Sequence, residues 1–538
     1  SELVVWVQKI PGQMPSEIEE MAQSIVNEFL RTAERLTNLG LSYLSLDRAG
    51  STLSNGELQR VQISRAVRSD TTGVLYVLDE PSIGLHPYNV DGLMKIVREL
   101  VDRKNSVVLV DHDPRILMDA DQLIEIGPGA GKEGGRIVTQ GTPLEAEKNP
   151  HSLIGPYLSG KESLKVRSRA TEKDMFENGS IRIKTKPFYT VKALDVSIPK
   201  GRMIAVTGVS GSGKTSLVIE CLVPALQAVI QGTKLPEHVD SIEAKGIQSV
   251  KVIDSKPIGA NVRSTVATYD GVFDDLRKLF ARTADAKAKG LTAGDFSYNT
   301  GKLRCPVCDG TGIITMDVQF LPDVDTICPS CGGSRYGKDA YDILWKSKEK
   351  DSVSVSLPGL LKLTVEEAAG ILHEETKIAK QLKILQDLGV CYLTLGEATP
   401  ALSGGEAQRL KLAYEMETPQ QGSVFVFDEP TIGLHPQDVK KLVLIFDHLI
   451  QLGATVIVIE HDLELVTNCD YIIDMGPWGG TEGGRVVVEG TPEAVAATSE
   501  SITGRYLKQE LAEDKKCSGK FRKKSFAVKH IFRKYQKI

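Results

Sequence analysis

An internal repeat constrains this 538-residue chain more than any other feature. Residues near 53–143 recur near 402–492 at one fixed offset of 349 positions. Leu53-Ser54-Asn55-Gly56-Glu57-Leu58-Gln59-Arg60 answers Leu402-Ser403-Gly404-Gly405-Glu406-Ala407-Gln408-Arg409. In the same register Asp79-Glu80-Pro81 answers Asp428-Glu429-Pro430, His86 answers His435, and His112 answers His461. A chain of this length favours three or four domains over one simple domain.

Around the repeated blocks, apolar β-branched runs at 74–78, 106–110, 423–427 and 455–459 read as strands, and those at 74–78 and 456–459 as buried ones. Segments 89–102 and 437–452 have helical spacing. Strand and helix alternate, which predicts a parallel α/β architecture. Gly208-Val209-Ser210-Gly211-Ser212-Gly213-Lys214-Thr215 follows the strand run 203–207 and precedes a helical run, the proper setting for a phosphate loop. Its glycines let backbone N–H groups converge on a triphosphate at a helix start. Lys214 is expected to reach the β- and γ-phosphates of ATP, and the Thr215 hydroxyl to ligate Mg²⁺. Moved back by 349 positions, the equivalent loop falls ahead of residue 1, so the chain reads as beginning partway through its first repeat.

Asp428 and Glu429 end an apolar strand, a costly place for two carboxylates unless they serve chemistry. Asp428 suits Mg²⁺ and Glu429 suits polarising an attacking water, while His461 at the next strand end could sense the γ-phosphate or be an ordinary strand-end histidine.

Cys305-Pro306-Val307-Cys308 and Cys328-Pro329-Ser330-Cys331 supply four thiolates at the spacing of a closed structural Zn²⁺ site; redox pairing is the alternative. The other four of the eight cysteines are scattered, a usage that suits a reducing compartment. No apolar run nears the roughly 18 residues of a membrane helix, so no membrane partner and a cytoplasmic protein are expected. Net charge is −5, so any nucleic-acid surface must be local. Between Arg277 and Arg304 seven basic residues, among them Lys287, Lys289, Lys302 and Arg304, face two acids, with Phe296 and Tyr298 interleaved. That pattern fits DNA contact or a solvated face. Lys515–Ile538 holds ten Lys or Arg and no acid, a disordered tail or a nucleic-acid arm.

These residues resemble the ABC ATPase superfamily. LSGGEAQR at 402–409 is similar to its signature, VFVFDEP at 424–430 to its Walker B strand, and the segment after Pro430 to its D-loop. The resemblance implies ATP sandwiched between the phosphate loop of one half and the signature of the other. Paired within the chain, Gly208, Ser210, Gly211, Gly213, Lys214 and Thr215 with Asp428, Glu429 and His461 would face Ser54 and Gly56.

VTGVSGSGKTSL at 206–217, RSTVATYDGVFDDLRKLFA at 263–281, CPVC, CPSC, FLPDV at 320–324, LTVEEA at 363–368 and EPSIGLHP at 80–87 resemble the UvrA family, the ATPases of the bacterial excinuclease. What this implies is an α/β fold of tandem ABC-type P-loop ATPase modules, the first incomplete, with helical signature subdomains and a zinc-binding insertion. It also implies an ATPase of bacterial nucleotide excision repair that dimerises with itself on double-stranded DNA. The family's UvrB-docking domain and first phosphate loop would precede residue 1. Where the family shows a glutamine this chain has Ser255, and Asn55 replaces the first glycine of the signature.

The expected organisation is a helical signature region at 1–70, the remaining ATPase core of the first module at 71–160 and a linker at 161–180. A phosphate-loop part follows at 181–225, the insertion with zinc module and helical signature region at 226–400, signature and Walker B parts at 401–512, and a basic tail at 513–538. A UvrA-like drug-resistance ATPase acting on intercalator-bound DNA and a transport ATPase subunit are the rival readings.

Overall fold

The computed structural model describes residues 2–53, 55–67, 71–129, 134–162, 166–259, 261–316, 324–347, 353–416 and 420–518. The chain forms two compact units, the first from Ser1–Pro128, Arg136–Val252 and Gln420–Ile538, the second from Gly129–Gly135 and Ile253–Pro419.

In the first unit the amino-terminal repeat supplies β1 (Leu75–Asp79) and β2 (Ser106–Val110), a parallel pair, and β3 (Leu123–Gly127) and β4 (Arg136–Gly141), an antiparallel pair. The helix Pro87–Asp102 joins β1 to β2 and buries Val90, Leu93, Ile96, Val97 and Leu100. The chain continues through β5 (Ser180–Thr185), β6 (Asp195–Pro199), β7 (Met203–Gly208), β8 (Val239–Glu243) and β9 (Ser249–Ile253).

The second unit adds two hairpins, β10 (Ile313–Met316) with β11 (Val324–Ile327) and β12 (Leu344–Lys346) with β13 (Ser354–Ser356), among short helices. Its core is aromatic: Phe280, Phe296, Tyr298 and Tyr336 are fully buried. Tyr336 Oη donates to the Phe296 carbonyl at 2.6 Å, and Tyr298 packs edge-on against Tyr336. Phe296 and Tyr298 are therefore core residues, and the expected interleaving of aromatic rings with the basic surface does not occur. Their spacing between lysines says nothing about which way they point.

The chain returns to the first unit as β14 (Ser423–Asp428), β15 (Thr455–Ile459), β16 (Tyr471–Gly476) and β17 (Arg485–Gly490). These join a six-stranded sheet in the order β17-β16-β7-β15-β14-β9. β7 lies parallel between β15 and β16, with Val456 opposite Met203 and Tyr471 opposite Ile204. The helical run after the phosphate loop lays Leu217, Val218, Cys221, Leu222, Ala225 and Leu226 into the same core as the strand side chains.

The two repeats differ where β7 stands. Among the described residues no strand joins the β1–β2 pair to the β3–β4 pair. Leu75, Val77, Val108, Val110, Ile124, Ile126 and Ile137 are exposed, whereas six of their seven counterparts, Val424, Val426, Ile457, Ile459, Ile473 and Met475, are buried and the seventh, Val486, packs against that core. The run at 74–78 is thus not the buried strand its composition suggests. Apolar character marks a face that wants covering, and nothing among the described residues covers it. Among those residues no helix is long and apolar enough to cross a membrane.

His86 fastens the two repeats. Its Nδ1 accepts from Tyr88 N at 3.2 Å, capping the helix Pro87–Asp102, so Nε2 carries the proton and donates to Thr503 Oγ1 at 3.1 Å. Thr503 in turn donates to Asp474 on β16 at 2.7 Å. Burial, followed by the charges of Lys214 and Arg115, holds the imidazole well below its usual range.

Two measurements check this account. Val426→Ala, at a fully buried site, should cost about 2 kcal/mol by denaturant unfolding, while Val77→Ala, 63% exposed at the matching position, should stay within about 0.5 kcal/mol. Because the unfolded chain protonates at His86 near pH 6.5 and the folded chain does not, stability should fall as pH drops below that value. The slope is up to about 1.4 kcal/mol per unit from this group, and His86→Asn should remove one proton's worth of it.

Candidate nucleotide site and metal centre

The phosphate loop leaves β7 at Gly208 and turns into the helical run from Ser216. Gly211 adopts φ 77°, and the Tyr43 ring lies directly over it, only 2.5 Å from where a Cβ would stand. Gly480 N donates to the Gly211 carbonyl and Gly484 N to that of Ser212, so the segment after β16 braces the loop. Lys214 is buried and folds back, donating to the carbonyls of Gly208 at 2.9 Å and Val209 at 3.0 Å. Ser212 Oγ is buried without a partner and Thr215 is exposed. An ammonium on its own loop and an idle buried hydroxyl fit a cradle made for phosphate oxygens.

Glu429 closes the site from the end of β14. Its backbone takes φ 49°, as Glu80 takes 45° in the other repeat, a left-handed conformation that non-glycine residues adopt at a cost of roughly 1–3 kcal/mol. The strain aims the side chain back across the molecule. Its carboxylate lies against Gly84 of the first repeat, 2.9 Å from the place of a missing Cβ, and Glu80 lies likewise against Gly433 at 3.1 Å. His461 Nε2 stands 3.9 Å from Glu429 Oε1, and His112 Nε2 stands 3.6 Å from Glu80 Oε1. Around these turns lies a cavity of about 400 Å³ bordered by Glu80, Gly84, His112, Glu429, Gly433 and His461.

Burial, reinforced by Asp428 and opposed by Lys214, pushes the Glu429 carboxyl up to about 7. Burial pulls Lys214 down to about 8 against the attraction of Glu429, Asp474 and Asp428. Burial, then Lys214, His86 and Arg60, keeps His461 neutral. A carboxylate near neutrality is what a general base working at pH 7 needs.

Most of the sequence-predicted residues meet here. Glu429 and His461 border the cavity, Lys214 is drawn to Glu429 and Asp428, the loop of Gly208, Ser210, Gly211, Gly213 and Thr215 reaches Gly84 through Ser210, and Gly56 stands against the Ile83 carbonyl next to Gly84. Ser210 Oγ also reaches the Gly84 carbonyl at 3.4 Å. Ser54 lies outside the described residues, as does most of the basic segment Lys515–Ile538, of which the helix Ile502–Ser518 takes the start. Sequence reading missed Tyr43, which covers Gly211 and donates to Glu57 at 2.5 Å. The signal was present, since Tyr392 donates to Glu406 in the same way at the repeat offset. It also missed Tyr189, 80% exposed with φ 51° beside Thr190, whose hydroxyl approaches Gly213.

In the second unit Ser255 lies against Gly404 at the start of the helix Gly404–Glu415. Three of the four candidate DNA contacts there are paired: Lys289 with Asp342 at 3.4 Å, Lys302 with Asp295 at 3.5 Å and Arg304 with Asp309 at 3.0 Å. Two of those acids come from beyond the basic stretch, which dilutes its charge.

The cysteines converge from two knuckles joined by the β10–β11 hairpin. All four Sγ atoms lie within 4.8 Å of one another, Cys305 to Cys328 at 4.0 Å and Cys308 to Cys331 at 3.7 Å. A tetrahedral ion with Zn–S bonds of about 2.3 Å needs S–S edges of about 3.8 Å, so the set fits Zn²⁺. All four are free thiols. The knuckle turns are tight: Gly310 takes φ 81°, and a Cβ there would stand 1.8 Å from the Tyr298 carbonyl. Elemental analysis should find one zinc per chain, and Cys305→Ala should lose it together with most of the helical signal and protease resistance of residues 253–419. Full zinc retention in that variant would dismiss the site.

No family model matches the chain. It is 44% identical over 509 residues to UvrABC system protein A of Staphylococcus aureus (strain COL), covering 93% of this chain and 52% of the relative. The UvrABC system protein A of Aquifex aeolicus (strain VF5) is 43% identical over 498 residues, covering 92% of this chain and 53% of that one. The crystal structure of UvrA2 from Deinococcus radiodurans superposes with a TM-score of 0.85 at 37% identity, over 95% of this chain and 62% of that chain. The chain spans about half the length of the curated relatives it matches. The repeat, the phosphate loop, the cysteine module and this likeness over nearly the whole sequence together make the chain similar, along 93% of its length, to about half of UvrABC system protein A.

Proposed function

We propose that this chain binds and hydrolyses ATP and uses the cycle to control its grip on double-stranded DNA during damage recognition in bacterial nucleotide excision repair. Its setting is the cytoplasm, its assembly a homodimer, and its family partner a UvrB-type helicase. One observation carries the reading: in a single compact unit the phosphate loop and Glu429 of one repeat lie against Gly84 of the other, with Gly56 close behind.

In this reading Lys214 leaves its own carbonyls for the phosphate oxygens of ATP, exchanging neutral acceptors for charged ones. Glu429 takes the proton of the attacking water, and His461 holds that carboxylate and meets the γ-phosphate. Thr215 and Asp428 would hold Mg²⁺, which supplies counter-charge to the phosphates when bound. Ser54 and Gly56 would present a hydroxyl and a backbone N–H from the opposite repeat. Tyr189, exposed beside the loop, offers a face for the base. Lys287, Lys289, Lys302 and Arg304, carried near the cysteine module, would contact DNA phosphates.

ATP turnover measured with intact and damaged duplex tests the reading. Stimulation greater on damaged DNA supports it, whereas stimulation by an intercalating compound without lesion preference would move it to drug tolerance. Lys214→Ala should weaken ATP by about 1.5–3 kcal/mol, on the order of 10- to 150-fold in Kd by equilibrium titration. An unchanged Kd would refute the nucleotide assignment.

A further inference from the structure

Arg60 lies one turn beyond Gly56 on the helix Asn55–Ala66. It is only 4% exposed, yet its Nε and Nη1 atoms have no hydrogen-bond partner. A buried guanidinium with idle donors is costly, because each donor has lost water and gained nothing in return. Among the described residues it forms no ion pair. Glu57, three positions earlier on the same helix, is engaged by Tyr43 at 2.5 Å and by Arg48 at 3.5 Å.

Its surroundings are those of the phosphate loop. Arg60 acts electrostatically on Lys214, Glu429 and His461. Its Nη1 comes within 3.9 Å of where a Gly56 Cβ would stand, and Gly56 touches the Ile83 carbonyl, adjoining the Gly84 that abuts Glu429. The Arg60 charge weakly opposes that of Lys214, and a multivalent anion between them would relieve the opposition. The matching residue of the other repeat, Arg409, likewise has an Nε without a partner but is only half-buried.

We propose that Arg60 is a contact for the γ-phosphate, supplied by the first repeat to the triphosphate held on the phosphate loop of the second. This rests on the nucleotide-binding reading above. The planar fork of a guanidinium matches two phosphate oxygens, and two of its idle nitrogens would be filled by the terminal phosphate. A diphosphate leaves them idle, so Arg60 makes the seam between repeats tighter with ATP than with ADP. The device reports the nucleotide state across the seam without moving any bond.

Equilibrium binding of ADP and of the non-hydrolysable analogue AMP-PNP to the full chain, with Mg²⁺, tests this in wild type, Arg60→Met and Arg60→Lys. Arg60→Met should bind AMP-PNP at least tenfold more weakly while ADP affinity stays within twofold, and Arg60→Lys should fall between. The ligand-free melting temperature of Arg60→Met should hold or rise, since an unpaired buried charge has gone. Equal loss for both nucleotides, no loss for either, or a lowered melting temperature with unchanged nucleotide preference in Arg60→Lys would overturn the proposal. A wild-type protein that binds neither nucleotide would instead overturn the underlying reading, and Lys214→Ala, which should weaken both nucleotides, separates the two failures.

Discussion

Everything in the candidate nucleotide site depends on two places where a backbone meets a carboxylate with no room between. Gly84 stands against Glu429 and Gly433 against Glu80, each at a distance that a side chain would forbid. Both glycines also take φ 64°, and both glutamates sit in the left-handed region themselves. Strain of this kind persists only where surrounding packing over-determines it. Here the packing is mutual, because the turn of each repeat positions the glutamate of the other. A half-site built by one repeat alone would have neither the glycine wall nor the neighbouring Gly56.

The electrostatics follow from that closeness. Lys214, Glu429, His461 and Arg60 share a buried region, and burial is the first cause of the shift in each of the three that titrate. In water these groups would carry their ordinary charges. Enclosed, Glu429 is raised to about 7 and Lys214 lowered to about 8 by burial, while their mutual attraction opposes both shifts. An incoming polyanion meets these groups already gathered, and Lys214 exchanges the carbonyls of Gly208 and Val209 for phosphate oxygens.

The same repeat that builds the site also exposes its asymmetry. In the carboxy-terminal half, β7 fills the middle of the sheet and the phosphate-loop helix covers one face. In the amino-terminal half the matching side chains, Val77, Val108 and Ile126 among them, face solvent. The amino-terminal half keeps its own smaller core instead, built from Leu39, Ile63, Leu93, Ile96 and Leu100 behind the sheet. One sequence pattern thus gives a six-stranded sheet in one place and, among the described residues, two separate strand pairs in another.

The repeat, the phosphate loop and the four cysteines were legible from residues alone, because each is a local pattern whose chemistry follows from spacing. Two CxxC turns can close on one ion in few ways, and a glycine-rich turn between strand and helix has few other uses. Phe296 and Tyr298 were misread as surface rings, since alternation with lysines gives composition without direction. The stretch at 74–78 was misread as buried, since an apolar strand records what it prefers and not whether a neighbour exists to satisfy it. Tyr43 over Gly211 and Glu429 against Gly84 join positions more than 150 residues apart, and no period in the chain encodes such a meeting. Sequence by itself determined which chemical groups this protein carries; the tertiary structure alone decided which of them share a dry space, because desolvation and mutual charge exist only once distant segments have been packed together.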